Sequence, residues 1–141
     1  ACATSVCTIH RASFGALAKT SIEHRGNTMP TKQTPNFLPT QPTVAVFGIL
    51  RFPPDQMTEV RLHLRVLVEA TCRNDGCIAY DVAEDPFDPG LIRFSELWPD
   101  HESLARHLQA PHIEPWRVVA RRCGLLDRKF TAYDINGSRS V

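Results

Sequence analysis

Residues 96–116 read ELWPDHESLARHLQAPHIEPW, and the fold depends on how this stretch divides. It holds both tryptophans, three of the six histidines and three of the eleven prolines, so rings, imidazoles and chain breaks are concentrated in one short run. Phe94, Glu96 and Trp98 alternate onto one face, the period of a strand. Pro99 ends that strand, and Asp100 stands where an N-cap carboxylate accepts the free amides of a helix's first turn. On the helix that follows, Leu104 and Leu108 are expected to form the apolar stripe. His101 and His107 lie about 60° to either side of it, at about 100° per residue. Pro111 breaks in, and a second helix is expected to begin with His112. This corner is the expected place for any chemistry.

Working outward, Thr43–Phe52 (TVAVFGILRF) is β-branched and aromatic and reads as a first strand, with Gly48 marking a bulge or a close approach by another group. Pro53-Pro54-Asp55 opens a helix to about Arg73, whose Met57, Val60, Leu64, Leu67 and Thr71 recur at three and four. Asn74-Asp75-Gly76 is a turn that ends it. Cys77–Glu84 reads as a second strand with Ile78, Tyr80 and Val82 on one face. A loop of turn formers, 85–90, is long enough to be mobile, and Leu91–Trp98 is the third strand. Beyond the central stretch, Ile113, Trp116, Ala120 and Cys123 make the stripe of a helix that Gly124 terminates, and Leu126–Ile135 is a last strand.

The order β-α-β-β-α-β predicts an α+β, ferredoxin-like domain over residues 43–136, an antiparallel four-stranded sheet with its helices on one face. On the first strand Val44, Val46 and Leu50 oppose Ala45, Phe47 and Ile49, so both faces are apolar. A sheet of that kind packs against something more, most simply a second copy, and a homodimer is expected.

The remainder is expected to be tail. Residues 1–42 form an extended or disordered segment with four prolines between Met29 and Pro42, and residues 137–141 a frayed C-terminus. Arg11, Lys19 and Arg25 against Glu23, among many Ser and Thr, give residues 1–28 some likeness to a transit peptide. Met29 would make a natural start, however, and a functionally silent segment is the preferred reading. A net charge of +1 leaves no footprint for nucleic acid, and no apolar run approaches the roughly 20 residues that span a bilayer. Five cysteines without CxxC spacing suit neither a disulfide framework nor a zinc site, and a reducing cytoplasm is the default location.

The runs DGCIAYDVAED and DPGLIRFSELWPDHESLARHLQAPHIEPW resemble the antibiotic biosynthesis monooxygenase family, quinol monooxygenases included. Gly76, Tyr80, Glu96, Trp98, His107, Leu108 and His112 match the family's pattern in order, and the resemblance covers about residues 43–136. It implies a dimeric α+β barrel, two such sheets face to face, and the cofactor-free oxidation of a small phenolic, quinol or polycyclic aromatic substrate by dioxygen. Other members degrade haem or isomerise small molecules, so the fold leaves the reaction open. The haem branch uses an asparagine on the first strand, which VAVFGILRF lacks.

A cofactor-free oxygenase requires a base and a dry, aromatic-lined pocket, because the substrate must be deprotonated before it gives an electron to dioxygen. His107 is the first choice for the base and His112 the second; Trp98 would stack on a planar ring, and Tyr80 would orient a hydroxyl. Each also suits a structural role, the aromatics as core and the histidines as turn-fixing groups. Arg93 and Glu96 read as a cross-strand or dimer contact. Pro111 spoils the one-face geometry of a metal-binding histidine pair, and no nearby carboxylate has ligand spacing, so neither a metal nor a cofactor is expected. A non-catalytic dimer that binds an aromatic ligand stands beside the enzyme as the alternative.

Overall fold

A computed structural model describes residues 41–141, so all but the last two positions of the expected 1–42 tail lie outside the described residues. Strand β1 (Val44–Arg51) leads through one 3-10 turn at Pro54–Gln56 into α1 (Met57–Asn74), then β2 (Ala79–Glu84) and β3 (Leu91–Trp98). The chain continues as α2 (His101–Leu108), α3 (Ile113–Arg122) and β4 (Asp127–Asp134). The sheet is antiparallel in the order β2-β3-β1-β4, the ferredoxin-like arrangement, and it is not closed. No helix among the described residues is long and apolar enough to cross a membrane.

The helix side of the sheet carries the core. Val44, Val46 and Leu50 of β1 face Ile92, Phe94 and Trp98 of β3, and α1 lays Met57, Val60, Leu64, Leu67 and Thr71 over them, all buried. Each large apolar side chain taken out of water there stabilises the fold by roughly 1.5–3 kcal/mol. The α1 stripe is the one that the three-and-four spacing predicts.

Gly48 is a close approach rather than a bulge. The β1 register runs unbroken through it, with Phe94 on one side and Phe130 on the other. A Cβ at Gly48 would lie 2.2 Å from the Phe130 ring, so glycine is what lets that ring lie across β1. The 85–90 loop is likewise held rather than loose. Arg51 grips Asp88 with two bonds of 2.9 and 2.6 Å, and Arg93 donates to Asp85 at 2.8 Å.

The other side of the sheet is covered by no described element. Phe47, 55% exposed, stands there with its ring 6.1 Å from that of Tyr133, beside half-buried Ile49.

Candidate active site

Between the helix side of the sheet and the α2–α3 corner lies a cavity of about 290 Å³, at the small end of the range that holds small-molecule ligands. Its apolar wall includes Val46 and Leu50 of β1, Phe94 of β3, Leu104 of α2, Trp116 of α3 and Phe130 of β4. Tyr80, Glu96, His107, Arg117 and Arg128 are the polar and charged residues that line it.

The corner forms because Asp100 caps α2, its side chain accepting the Ser103 amide at 2.7 Å. This holds α2 over the end of β3, and His107, one helical turn beyond Ser103, is turned inward with 4% of its surface exposed. Its Nδ1 lies 2.6 Å from Oδ2 of Asp75, and Nε2 of His112 lies 3.0 Å from that same oxygen. Asp75 follows the last turn of α1, where its backbone N–H bonds the Thr71 carbonyl, and Gly76 turns the chain away at a φ of 73°. A buried carboxylate needs donors: His107 supplies one, and the His112 imidazole stands at ion-pair distance beside it.

The network assigns the proton of His107 to Nδ1, which donates to Asp75 and leaves Nε2 for the cavity that the ring lines. Burial pushes the His107 pKa below its ordinary value; the bond to Asp75 and that carboxylate's charge oppose this, and His112 adds to it. Near neutrality the imidazole is therefore uncharged and able to accept a proton. This is the form a general base requires.

Glu96 comes from β3, opposite Tyr80 of β2 and Val46 of β1. It is 4% exposed, its Oε2 accepts the Trp98 indole N–H at 2.9 Å, and burial raises its pKa to about 7. The opposing influences are the Trp98 bond and the charge of Arg128. Burial also holds the Tyr80 phenol well above its ordinary value, so it is a neutral donor.

His107 and Tyr80 thus stand in the cavity wall, whereas Trp98 and His112 stand behind it. Trp98 is wholly buried and does not line the cavity; its ring lies 4.8 Å from that of His107 and its N–H is committed to Glu96. His112 does not line the cavity; its Nε2 lies beside Asp75. His101 is exposed and pairs with Asp134 at 2.6 Å.

Two expectations change. The buried residues of α2 are Ser103 and His107, while Leu108 is 43% exposed. Leu104, Leu108 and His107 of this two-turn helix all line the cavity, and of the two leucines only Leu104 also packs against the core. Within the chain Arg93 and Glu96 do not meet, because three residues along a strand reverse the face: Arg93 bonds Asp85 on one side and Glu96 faces the cavity on the other.

Sequence reasoning missed Asp75 as a partner of the histidines. It lies 32 residues from His107, and nothing in its turn sequence marks it for one. The carboxylate thought absent from the histidine pair is this one. Ligand-type atoms of Asp75, His107 and His112 fall within 4.8 Å of one another. At 2.6 Å, however, Nδ1 and Oδ2 are in hydrogen-bond contact, nearer than two tetrahedral zinc ligands, which sit roughly 3.4 Å apart. The geometry is that of a hydrogen-bonded imidazole–carboxylate pair with a second imidazole beside it.

Comparison with known proteins accords with this architecture. Residues 43–118, more than half of the chain, match the family model described as antibiotic biosynthesis monooxygenase. A crystal structure of a candidate antibiotic biosynthesis monooxygenase from Deinococcus radiodurans superposes with a TM-score of 0.66 at 26% identity, covering 70% of this chain and 97% of that one. A second crystal structure, named an antibiotic biosynthesis monooxygenase, gives 0.61 at 28% identity over 67% and 99% of the two chains. An uncharacterized protein of Synechocystis is 27% identical over 70 residues, 50% of this chain and 48% of that protein, so the match spans about half that relative's length.

Proposed function

This chain belongs to the antibiotic biosynthesis monooxygenase family, and we propose that it is a cofactor-independent monooxygenase for a small phenolic, quinol or polycyclic aromatic substrate. One observation carries the reading: the His107 imidazole, anchored at Nδ1 by Asp75, stands in the wall of an aromatic-lined cavity. His107 takes the proton from a substrate hydroxyl or an acidified ring carbon, and the anion so formed passes an electron to dioxygen. Tyr80 donates a hydrogen bond to a substrate oxygen. Trp98 and His112 are positioning residues, acting through Glu96 and Asp75. The apolar wall keeps water from the anion and the peroxide that follows.

The test is oxygen consumption by the purified protein against a panel of hydroquinones, naphthols and anthrones after metal chelation. Uptake above the autoxidation blank is expected for at least one class. A flat response across the panel would leave the non-catalytic ligand-binding dimer as the better reading.

The same reading includes a homodimer, with a second sheet placed about 10 Å away over the face that carries Phe47, Ile49 and Tyr133, so that two open sheets make one barrel. Burying a carboxylate in such a seam without a partner is strongly unfavourable. Phe47→Asp is therefore expected to convert a dimer to a monomer in sedimentation velocity. A wild-type monomer at micromolar concentration would remove the barrel.

A further inference from the structure

Glu96 is a titratable group that the base-and-pocket scheme leaves unused. One of its oxygens accepts an N–H from an indole that is wholly buried and cannot swing aside. Its carboxyl lines the same cavity as His107. The groups facing it are Tyr80 and Cys77 from the β2 side, His107 of α2, Arg117 of α3 and Arg128 of β4, with Leu67 from α1. None of them forms an ion pair with it among the described residues, and a solvated carboxylate would gain nothing from such a position. A carboxyl that exchanges a proton there has a use, since oxygenation must both deliver and remove protons after dioxygen has bound.

We propose that Glu96 is a second catalytic residue of this cavity, handing a proton to the peroxide formed on the substrate and taking one back as the product carbonyl forms. The proposal rests on the monooxygenase reading and is stated for a polycyclic aromatic with an activated methylene flanked by rings, the member of the proposed substrate class whose oxidation needs both proton transfers. His107 removes one methylene proton and becomes imidazolium. The carbanion and dioxygen form a C–O bond, giving a peroxide anion, and Glu96 protonates its outer oxygen to a hydroperoxide. The Glu96 carboxylate then removes the remaining C–H proton as the O–O bond breaks, leaving a C=O group and hydroxide. Hydroxide takes the proton from the imidazolium to become water. Methylene and dioxygen have become carbonyl and water, four electrons have moved from carbon to oxygen, and both side chains are restored.

A carboxyl with a pKa near neutrality in this place can serve in both directions, as donor first and as acceptor afterwards. The elevation also predicts a stability signature. Because the folded pKa of Glu96 lies above its unfolded value of 4.5, the folded state holds its proton more tightly. The resulting stability is complete below pH 4.5, declines as the pH rises, and is lost above about 7.

The experiment compares the wild-type chain with Glu96→Gln on an anthrone, measuring oxygen uptake, carbonyl product and released peroxide across pH 5 to 9, with thermal unfolding over the same range. Glutamine keeps the shape and still accepts the Trp98 N–H. The expected result is a kcat lower by about 10²- to 10⁴-fold with KM changed less than about threefold. Peroxide should be released in place of ketone, and the wild type's fall in unfolding temperature between pH 5 and 8 should flatten. Glu96→Asp should recover part of the rate. Wild-type uptake with an unchanged kcat and pH profile in Glu96→Gln would overturn the proposal while sparing the oxygenase reading. Absence of anthrone uptake by the wild type would overturn the proposal, and the oxygenase reading falls with it only where hydroquinones and naphthols give no uptake either.

Discussion

Replacing His107 with alanine is expected to lower oxygen-dependent turnover by about 10²- to 10⁴-fold, the contribution of a positioned general base. Its Nδ1 is held by Asp75 and its Nε2 is the nitrogen left for substrate, so no nearby group takes over with the same geometry. His112 is the nearest replacement, but its Nε2 is engaged with Asp75 and Thr71, and it does not line the cavity. Because burial places the His107 pKa below its ordinary 6.5, the acid limb of the wild-type rate profile should fall below pH 6.5. Alanine also strips a donor from the buried Asp75 carboxylate, at a cost of about 1–3 kcal/mol. His107→Gln separates the two effects, since it offers an amide donor but no base. Steady-state oxygen uptake and circular dichroism read them independently. A folded His107→Gln protein with wild-type kcat would end the assignment of His107 as the base.

The largest loss of stability is expected from Trp98→Ala, about 3–5 kcal/mol. Trp98 has no exposed surface, packs edge-on to Tyr80 at 6.4 Å, lies 4.8 Å from the His107 ring, and donates to Glu96. The substitution empties the floor of the corner and leaves the Glu96 carboxyl without its donor. Against a whole-domain stability of about 5–15 kcal/mol, that loss is a large share, and it would bring a domain at the lower end of that range close to unfolding at room temperature. Trp98→Phe retains most of the volume and loses only the N–H. It should cost far less, while raising the Glu96 pKa further, because the indole bond opposes the effect of burial. Urea denaturation of the two variants measures the difference. Equal losses in both would mean that the hydrogen bond, not the packing, is what the indole supplies.

The sequence marks its elements where local chemistry is strong. Prolines bracket β1, the three-and-four spacing of α1 names all of its buried residues except Val68, and Pro99-Asp100 sets the junction of β3 and α2 within a residue. The element order then leaves one compact arrangement, and the observed sheet has it. Strand alternation also turns Tyr80 inward, as observed, whereas helix periodicity places His107 only beside the expected stripe.

What periodicity misses is decided by contacts between distant segments. The spacing of α2 makes Leu104 and Leu108 its core side, yet only Leu104 packs against the core, while Leu108 is left exposed and Ser103 and His107 are the buried residues. Which side is core depends on what stands opposite, and that is set by β2, β3 and the end of α1. Asp75 is the clearest case. Its sequence is that of a turn, and it becomes the anchor of two imidazoles only because α1 ends beneath the α2–α3 corner.

By itself, then, the sequence determined the elements, their order and the face each strand turns inward, because dihedral preferences, capping and hydrophobic periodicity act within a few residues. The tertiary structure alone decided which nitrogen of His107 is free, that Glu96 belongs to the cavity, and that Trp98 stands behind it. Those outcomes depend on hydrogen bonds and burial shared between segments tens of residues apart, or on how deep the fold sets a side chain, and local spacing does not encode either.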